Sequence, residues 1–350
     1  MALAGIGYSP NAPHLQAPGD RRRFCFYAGR RELDFDVVDA PQGHRVVVLS
    51  PRADIVRWAR VPAGRVKIVY DLVDSYLALP GLTPSSIGRG AAKFLSRETT
   101  RPVLSYRRAI ERMCARADAV VCSTEEQRGD ILEFNSNVHV ILDSHTTVAT
   151  TRKESYRAGA VFNIVWEGLP YTLHGFRQIE GVLRELGDSR PLALHLITDL
   201  RFRQYSGRFR PRDTASLARR IFDRCYLYEW NEQLLARIAT GCDLGVIPLD
   251  LSDPFARGKP ENKLLLLWRM GIPAVVSATP AYRRVLDAAG LPMACADTSA
   301  WRETLTTYME SEPLRAEAGR RGAEFVDLHT ADERLLERWD AVFASVGPLP

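Results

Sequence analysis

Residues Asp243 to Gly290 read DLGVIPLDLSDPFARGKPENKLLLLWRMGIPAVVSATPAYRRVLDAAG. The run Asp243–Leu249 is apolar without polar alternation and too short for a helix, so it reads as a strand buried on both faces. Prolines 254 and 260 interrupt the chain, and Glu261–Met270 then shows helical spacing. Gly271-Ile272-Pro273 is a turn signal. Pro273–Ser277 is a second buried strand and Pro280–Ala288 a second helix. Strand, helix, strand, helix is the building pattern of a parallel α/β sheet.

The same alternation extends in both directions. Upstream, Phe162–Trp166, Leu192–Thr198 and Cys225–Tyr228 read as strands, with helices over Gly175–Leu186, Arg212–Asp223 and Glu232–Thr240. From Ser299 onward the tail is helical. The first half repeats the scheme: a first strand is expected before the loop Ser9–Pro18, followed by Phe35–Val38, Arg45–Leu49, Lys67–Leu72, Ala119–Cys122 and Val138–Leu142. Helices are expected over Pro102–Arg116 and Glu125–Phe134. Between the two series, Ser144–Ala160 is polar and aperiodic and reads as a linker. The expected division is a first Rossmann-like domain over 1–145, a linker over 146–160, a second over 161–330, and a final helical segment over 331–350.

The length of 350 residues suits two domains, and 46% hydrophobic with 25% charged residues supplies two buried cores in a soluble chain. No basic lead-in precedes the short apolar run Met1–Tyr8, and no stretch approaches the roughly 20 apolar residues of a membrane span. A cytoplasmic protein is expected. The six cysteines show no C-x-x-C pair, which argues against a zinc or disulfide framework. The net charge of +5 is unevenly placed. Arg101, Arg107, Arg108, Arg112 and Arg116 form one cluster, and Arg201, Arg203, Arg208, Arg210 and Arg212 another. Such clusters are either solvated faces or seats for phosphate groups and anionic membrane surfaces.

The opening stretch also carries chemistry. A strand ending near Leu249 and a helix starting near Pro260 bring backbone N–H groups and a positive helix end to one place, which favours a phosphate. Pro260 suits the first turn, where its missing N–H costs nothing. Lys259, Asn262 and Lys263 add two cations and an amide donor, alongside Glu261. The alternative is an ordinary surface helix start with solvated lysines.

With these residues in view, Asp243–Gly290 resembles the donor-binding half of GT-B glycosyltransferases, especially the large retaining group called family 4. Ala117-Asp118-Ala119-Val120-Val121-Cys122-Ser123-Thr124-Glu125 resembles a strand and helix start near the end of that family's first domain. The resemblance implies two Rossmann-like domains facing one another across a cleft, with the final helix, about Asp332 to Ala344, crossing back to the first. It also implies a nucleotide-sugar donor on the second domain, and an acceptor on the first. Two family features differ. The paired glutamates of the donor helix are replaced by Gly258 and Leu266, and Lys259-Pro260-Glu261-Asn262-Lys263 resembles the K-x-x-N-K variants instead. In the first loop of the second domain, Gly168 and Gly175 keep the family spacing, but the diphosphate-gripping Arg and Lys positions hold Leu169 and His174. Retention or inversion therefore stays open.

Other candidates surround this core. Trp230 or Tyr228 sits where the resemblance puts the nucleotide base, and an aromatic there either stacks on a base or packs in the core. Asp71 and Asp74 lie at the C-terminal end of a strand, where ligands of open sheets bind, and Asp74 is the first choice to position or deprotonate an acceptor hydroxyl. A strand-end Asp also commonly caps the next helix. His14 in the Ser9–Pro18 loop is a second catalytic candidate, and His145 borders the expected junction. Asp34-Phe35-Asp36 is formally a D-x-D metal motif, but it lies too early in the chain and is read as coincidence, so no metal is expected. Gly5-Ile6-Gly7 lacks the third glycine of a dinucleotide fingerprint, so no NAD or FAD cofactor is expected.

The sequence thus predicts a metal-independent glycosyltransferase moving a sugar from a nucleotide-sugar donor to a glycan or lipid-linked acceptor. Polysaccharide or glycoconjugate synthesis is its expected setting. Peripheral contact with an anionic membrane is expected through the Arg101–Arg116 segment, with Val103, Leu104, Ile110 and Met113 as its apolar face. No nucleic-acid partner is expected, since 42 acidic residues balance the basic ones and no recognition motif occurs. The alternatives are a non-catalytic nucleotide-sugar-binding subunit and a nucleotide-sugar epimerase on the same fold.

Overall fold

The computed structural model describes residues 4–41, 43–79, 99–202 and 212–347. The chain divides into two units, Met1–Ser144 with Asp332–Pro350, and His145–Ala331. Each contains a six-stranded parallel sheet.

In the first unit the strands are β1 (Ala4–Ser9), β2 (Phe35–Val37), β3 (His44–Leu49), β4 (Lys67–Asp71), β5 (Ala119–Cys122) and β6 (Val138–Val140), ordered β2-β1-β3-β4-β5-β6. Side chains alternate between sheet faces with period two. Val47, Leu49, Ile68, Tyr70, Val120 and Cys122 enter one core with Trp58, Ile110 and Met113. Val46, Val48, Val69, Ala119 and Val121 enter the other, with Phe24, Tyr27, Trp339 and Phe343. The uninterrupted apolar strands of the sequence are explained by this burial on both sides. The last helix, Asp332–Val346, covers the second face.

Local signals set the helix starts. The helix expected from Pro102 begins at Tyr106, because Ser105 caps it by accepting the Arg108 N–H at 3.3 Å. Its Ile110 and Met113 are fully buried in the core, so they do not form the expected interfacial face. Val103 packs against the same core, and only Leu104 of the four is well exposed, at 79%. The Glu125–Leu132 helix is capped by Thr124, which accepts the Gln127 N–H at 3.0 Å, while Gln127 Oε1 accepts the Ser123 N–H.

The second unit holds β7 (Phe162–Glu167), β8 (Leu192–Thr198), β9 (Arg201–Phe202), β10 (Arg212–Asp213), β11 (Cys225–Glu229), β12 (Leu244–Ile247), β13 (Ala274–Ser277) and β14 (Ala294–Cys295). Its main sheet runs β11-β8-β7-β12-β13-β14, and β9 and β10 form a separate antiparallel pair. The expected helix Arg212–Asp223 shortens to Thr214–Ile221, because Asp213 caps it. The expected helix Gly175–Leu186 is replaced by a 3-10 segment, Pro170–Gln178, and an α-helix, Glu180–Ser189. Of the second arginine cluster, Arg203, Arg208 and Arg210 lie outside the described residues.

The segment read as a linker forms no helix or strand, but it is tied down. The Lys153 N–H donates to Met270 O, Lys153 Nζ donates to the carbonyls of Thr240 and Cys242, and Tyr156 Oη donates to Gly271 O at 2.7 Å. Gly271, at φ 71°, takes the left-handed turn before β13, which a residue with a Cβ resists.

Candidate functional site

In the second sheet, chain order reverses between β7 and β12, the topological switch point of the unit. Ligands of open α/β sheets bind outside the carboxyl ends of strands at such a point. The residues there are Glu167 at the end of β7, Gly168 after it, and Pro248 and Leu249 after β12.

Close backbone contact shapes this end of the sheet. A Cβ on Gly175 would stand 2.2 Å from the Pro248 carbonyl oxygen, so only glycine lets the 3-10 segment pack on the β12 end. Gln178 Nε2 donates to Leu249 O at 2.6 Å and to Ser277 Oγ at 3.2 Å, and the Leu249 N–H donates to Ser277 Oγ at 2.8 Å. The 3-10 segment and the ends of β12 and β13 are thereby fastened together. Neither Gln178 nor Ser277 was singled out from the sequence.

The Asn262–Arg269 helix begins beside this platform, with Glu261 at its N-cap making no side-chain cap. Lys263, in its first turn, reaches back to donate to the Glu167 carbonyl oxygen at 2.9 Å, with Nζ 5.1 Å from the centroid of the Trp166 ring. A Cβ on Gly168 would fall 2.2 Å from that Nζ, so glycine there is what admits the ammonium. Burial lowers the Lys263 pKa, against the pull of the Glu167 carboxylate. Lys259 places Nζ 4.3 Å from the Phe255 ring centroid. Trp230, just after β11, donates its indole N–H to Glu167 Oε1 at 3.0 Å. Gly168, Trp230 and Lys263 are therefore joined through Glu167.

Other expected residues are placed differently. Glu261 is buried, 6% exposed, with Oε1 3.7 Å from Arg284. His174 is exposed, its Nδ1 2.5 Å from Tyr171 O. Leu169, next to Gly168, is 49% exposed. Tyr228 stacks on His195 and bonds it at 3.0 Å.

In the first unit the switch point lies between β1 and β3. The loop after β1 carries His14, which is exposed and accepts the Gln16 N–H at Nδ1. The loop is organised by Asp20, fully buried, which accepts from Tyr8 Oη at 2.6 Å, Asn11 N at 2.7 Å and Ala12 N at 3.1 Å. Arg23, also buried, makes a two-pronged ion pair with Asp71 at 2.7 and 2.6 Å and reaches Asp143 at 3.1 Å. Asp71 is therefore a structural anchor. Asp74 is half-buried, its carbonyl accepting from Gln127 Nε2 at 3.1 Å. His145 is buried, its carbonyl accepting the Val148 and Ala149 N–H groups. Asp36 of the D-x-D bonds His44 at 3.0 Å. Among the described residues no group of three or more His, Cys, Asp or Glu is arranged to hold a metal ion.

The same unit carries a groove of about 790 Å³ between the Ile55–Trp58 and Tyr106–Arg116 helices. Val56, Ala59, Val103 and Ala109 lie along it with the exposed arginines 60, 101, 108 and 112. Among the described residues no helix is long and apolar enough to cross a membrane.

No protein-family model matches the sequence, and no curated protein sequence matches it. Solved structures do match. HepE from Anabaena, in complex with UDP and glucose, is 11% identical, with a TM-score of 0.62 over 97% of this chain and 99% of that one. WaaG, a glycosyltransferase involved in lipopolysaccharide biosynthesis, is 15% identical, with a TM-score of 0.58 over 98% of this chain and all of that one. A variant of S. aureus TarM in complex with fondaparinux, α-GlcNAc-glycerol and UDP is 10% identical, with a TM-score of 0.57 over 85% of this chain. This chain spans about half the length of TarM, 54% and 55% in two structures. At these identities the likeness is one of fold: the chain has the two Rossmann-like sheets of the GT-B glycosyltransferases.

Proposed function

We propose that this chain is a glycosyltransferase whose nucleotide-sugar donor binds at the β7–β12 switch point of the second unit. The observation that carries the reading is Lys263, drawn by the Gly168 gap onto the strand end where a diphosphate would lie. An ammonium has three donors. One is used on the Glu167 carbonyl, and two remain directed by the same anchored nitrogen. Lys259 and the start of the Asn262–Arg269 helix add positive potential. Negative charge grows on the diphosphate as the sugar bond breaks, so fixed cations there lower the barrier. UDP in two of the similar structures makes uracil the first base to test. The reading asks for no metal and no cofactor.

The acceptor, a glycan or lipid-linked glycan, would be served by the first unit, with Asp74 and His14 as the groups that orient or deprotonate its hydroxyl. The arginine-rimmed groove suits peripheral contact with an anionic membrane surface, in place of the buried Ile110–Met113 face. Retention by vesicles containing anionic phospholipid at low salt, lost in an Arg108→Glu, Arg112→Glu double variant, is the expected result. Equal retention of the double variant would remove the groove from the proposal.

A second reading, a subunit that binds nucleotide without turnover, is favoured by Leu169 and by His174 held on Tyr171 O where the family has Arg and Lys. One experiment separates the two. Melting temperature is measured with UDP, GDP, ADP, CDP and dTDP for the intact protein and for Lys263→Ala, since a ligand of the folded state raises it. A shift by one nucleotide that the variant loses supports the donor site. Release of that nucleotide from its sugar with a glycan acceptor, slowed in Asp74→Asn, supports transfer. Binding without release from any acceptor supports the subunit. No shift with any nucleotide in a folded sample sinks both.

A further inference from the structure

Glu167 closes β7, at the point where the buried strand opens onto the switch-point region. Its two ends serve two different elements. The carboxylate Oε1 accepts the Trp230 indole N–H at 3.0 Å, and the main-chain carbonyl accepts Lys263 Nζ at 2.9 Å. Trp230 follows β11 at one edge of the sheet, and its own N–H is tied to Thr198 O at the end of β8. The main chain of Trp230 and its indole ring are thus each held by a hydrogen bond. Lys263 stands across β7 from it, in the first turn of the Asn262–Arg269 helix.

We propose that Glu167 is a positioning residue that sets the aromatic platform and the ammonium in one fixed relation, so that base and diphosphate of a nucleoside diphosphate are recognised together. The proposal rests on the donor-site reading above and adds to it the residue that joins its two halves. The carboxylate acts on Trp230 by a charge-assisted hydrogen bond, which is worth more than a neutral one. Its charge also opposes the loss of the Lys263 proton caused by burial. A ligand bearing both base and diphosphate gains from this arrangement. A ligand bearing only one of them gains from one contact alone.

The test is calorimetric titration of the full chain with UDP, and separately with inorganic pyrophosphate, for the wild type and three variants. Glu167→Leu removes the acceptor and the charge and should weaken UDP about tenfold or more, the range for a hydrogen bond to a charged group. Glu167→Gln keeps an amide oxygen for the indole N–H and should recover most of that loss. Trp230→Phe keeps an aromatic ring without the N–H. It should weaken UDP comparably while pyrophosphate, which has no base, binds as to the wild type. Combining Glu167→Leu with Trp230→Phe should cost no more than the larger single loss, because both remove one bond.

Additive losses, or a Glu167→Leu protein that binds UDP as the wild type does, overturn the proposal and leave the donor site standing. If Glu167→Leu fails to melt cooperatively, Trp230→Phe carries the test alone, and wild-type UDP affinity in it is the overturning result. Should the wild type bind none of UDP, GDP, ADP, CDP and dTDP, the donor-site reading falls and this one falls with it.

Discussion

At the scale of single residues, Lys263 decides most. Burial lowers its pKa while Glu167 resists, and only the protonated form attracts a diphosphate. UDP affinity should therefore fall as pH rises through the alkaline range, and sooner than for an exposed lysine near pKa ~10.4. Titrations from about pH 7 to about pH 10 check this, with Lys263→Arg as the control, since a guanidinium keeps its proton throughout. A flat profile in the wild type would mean that Lys263 does not meet the phosphates. Lys259, Asn262 and Lys263 stand out in the sequence as candidates because they are neighbours beside a strand–helix junction. Glu167 was not: its partners Trp230 and Lys263 lie 63 and 96 positions away. Asp20 was equally hidden, because an aspartate in the short Pro18–Arg21 helix gives no sign that it will be buried under four donors. Arg23 pairs with Asp71 across 48 positions, a separation that no local pattern reveals.

At the scale of elements, strands were read most reliably, because a strand buried on both faces writes itself as an apolar run. Helix starts were shifted wherever a cap was overlooked, as with Ser105 and Asp213. The 3-10 segment Pro170–Gln178 was missed because its turn is imposed by the Gly175–Pro248 approach rather than by periodicity. Asp118 shows how such junctions are held. It sits between the Tyr106–Arg116 helix and β5, accepting from Ile68 N at 2.9 Å, Lys67 Nζ at 2.8 Å and Arg116 Nη1 at 3.2 Å. Although burial alone would raise it, these donors hold its carboxyl below the usual range. A depressed carboxylate stabilises fully above the unfolded-state value of ~3.9, and that contribution is lost as pH falls through the folded value. Asp118→Ala should cost roughly 2 kcal/mol at neutral pH, and the difference from wild type should shrink in acid. Denaturant melts at both pH values measure it. A difference that persists in acid would point to packing rather than charge.

At the scale of the molecule, chain order and compact units do not coincide. The last helix, Asp332–Val346, follows the second unit in sequence and packs in the first. Its Trp339 is 1% exposed, with its ring 5.8 Å from Tyr27 and 6.1 Å from Phe24, and Phe343 stacks on Tyr27 at 5.3 Å. Asp340 holds the same helix by accepting from Tyr27 Oη at 2.9 Å and pairing with Arg31 at 2.6 Å. Removing a large aromatic from such a core costs about 3–5 kcal/mol, a large part of the ~5–15 kcal/mol that holds a domain together. Trp339→Ala should therefore lower the melting of the first unit. Every residue proposed to hold the donor belongs to the second unit. UDP affinity at a temperature where the variant is folded should then match the wild type, and saturating UDP should raise only the transition that Trp339→Ala leaves in place. Calorimetric melts with and without UDP give both answers. If Trp339→Ala weakens UDP binding as much as it lowers melting, the nucleotide site depends on the first unit, and placing the donor on the second unit alone is wrong.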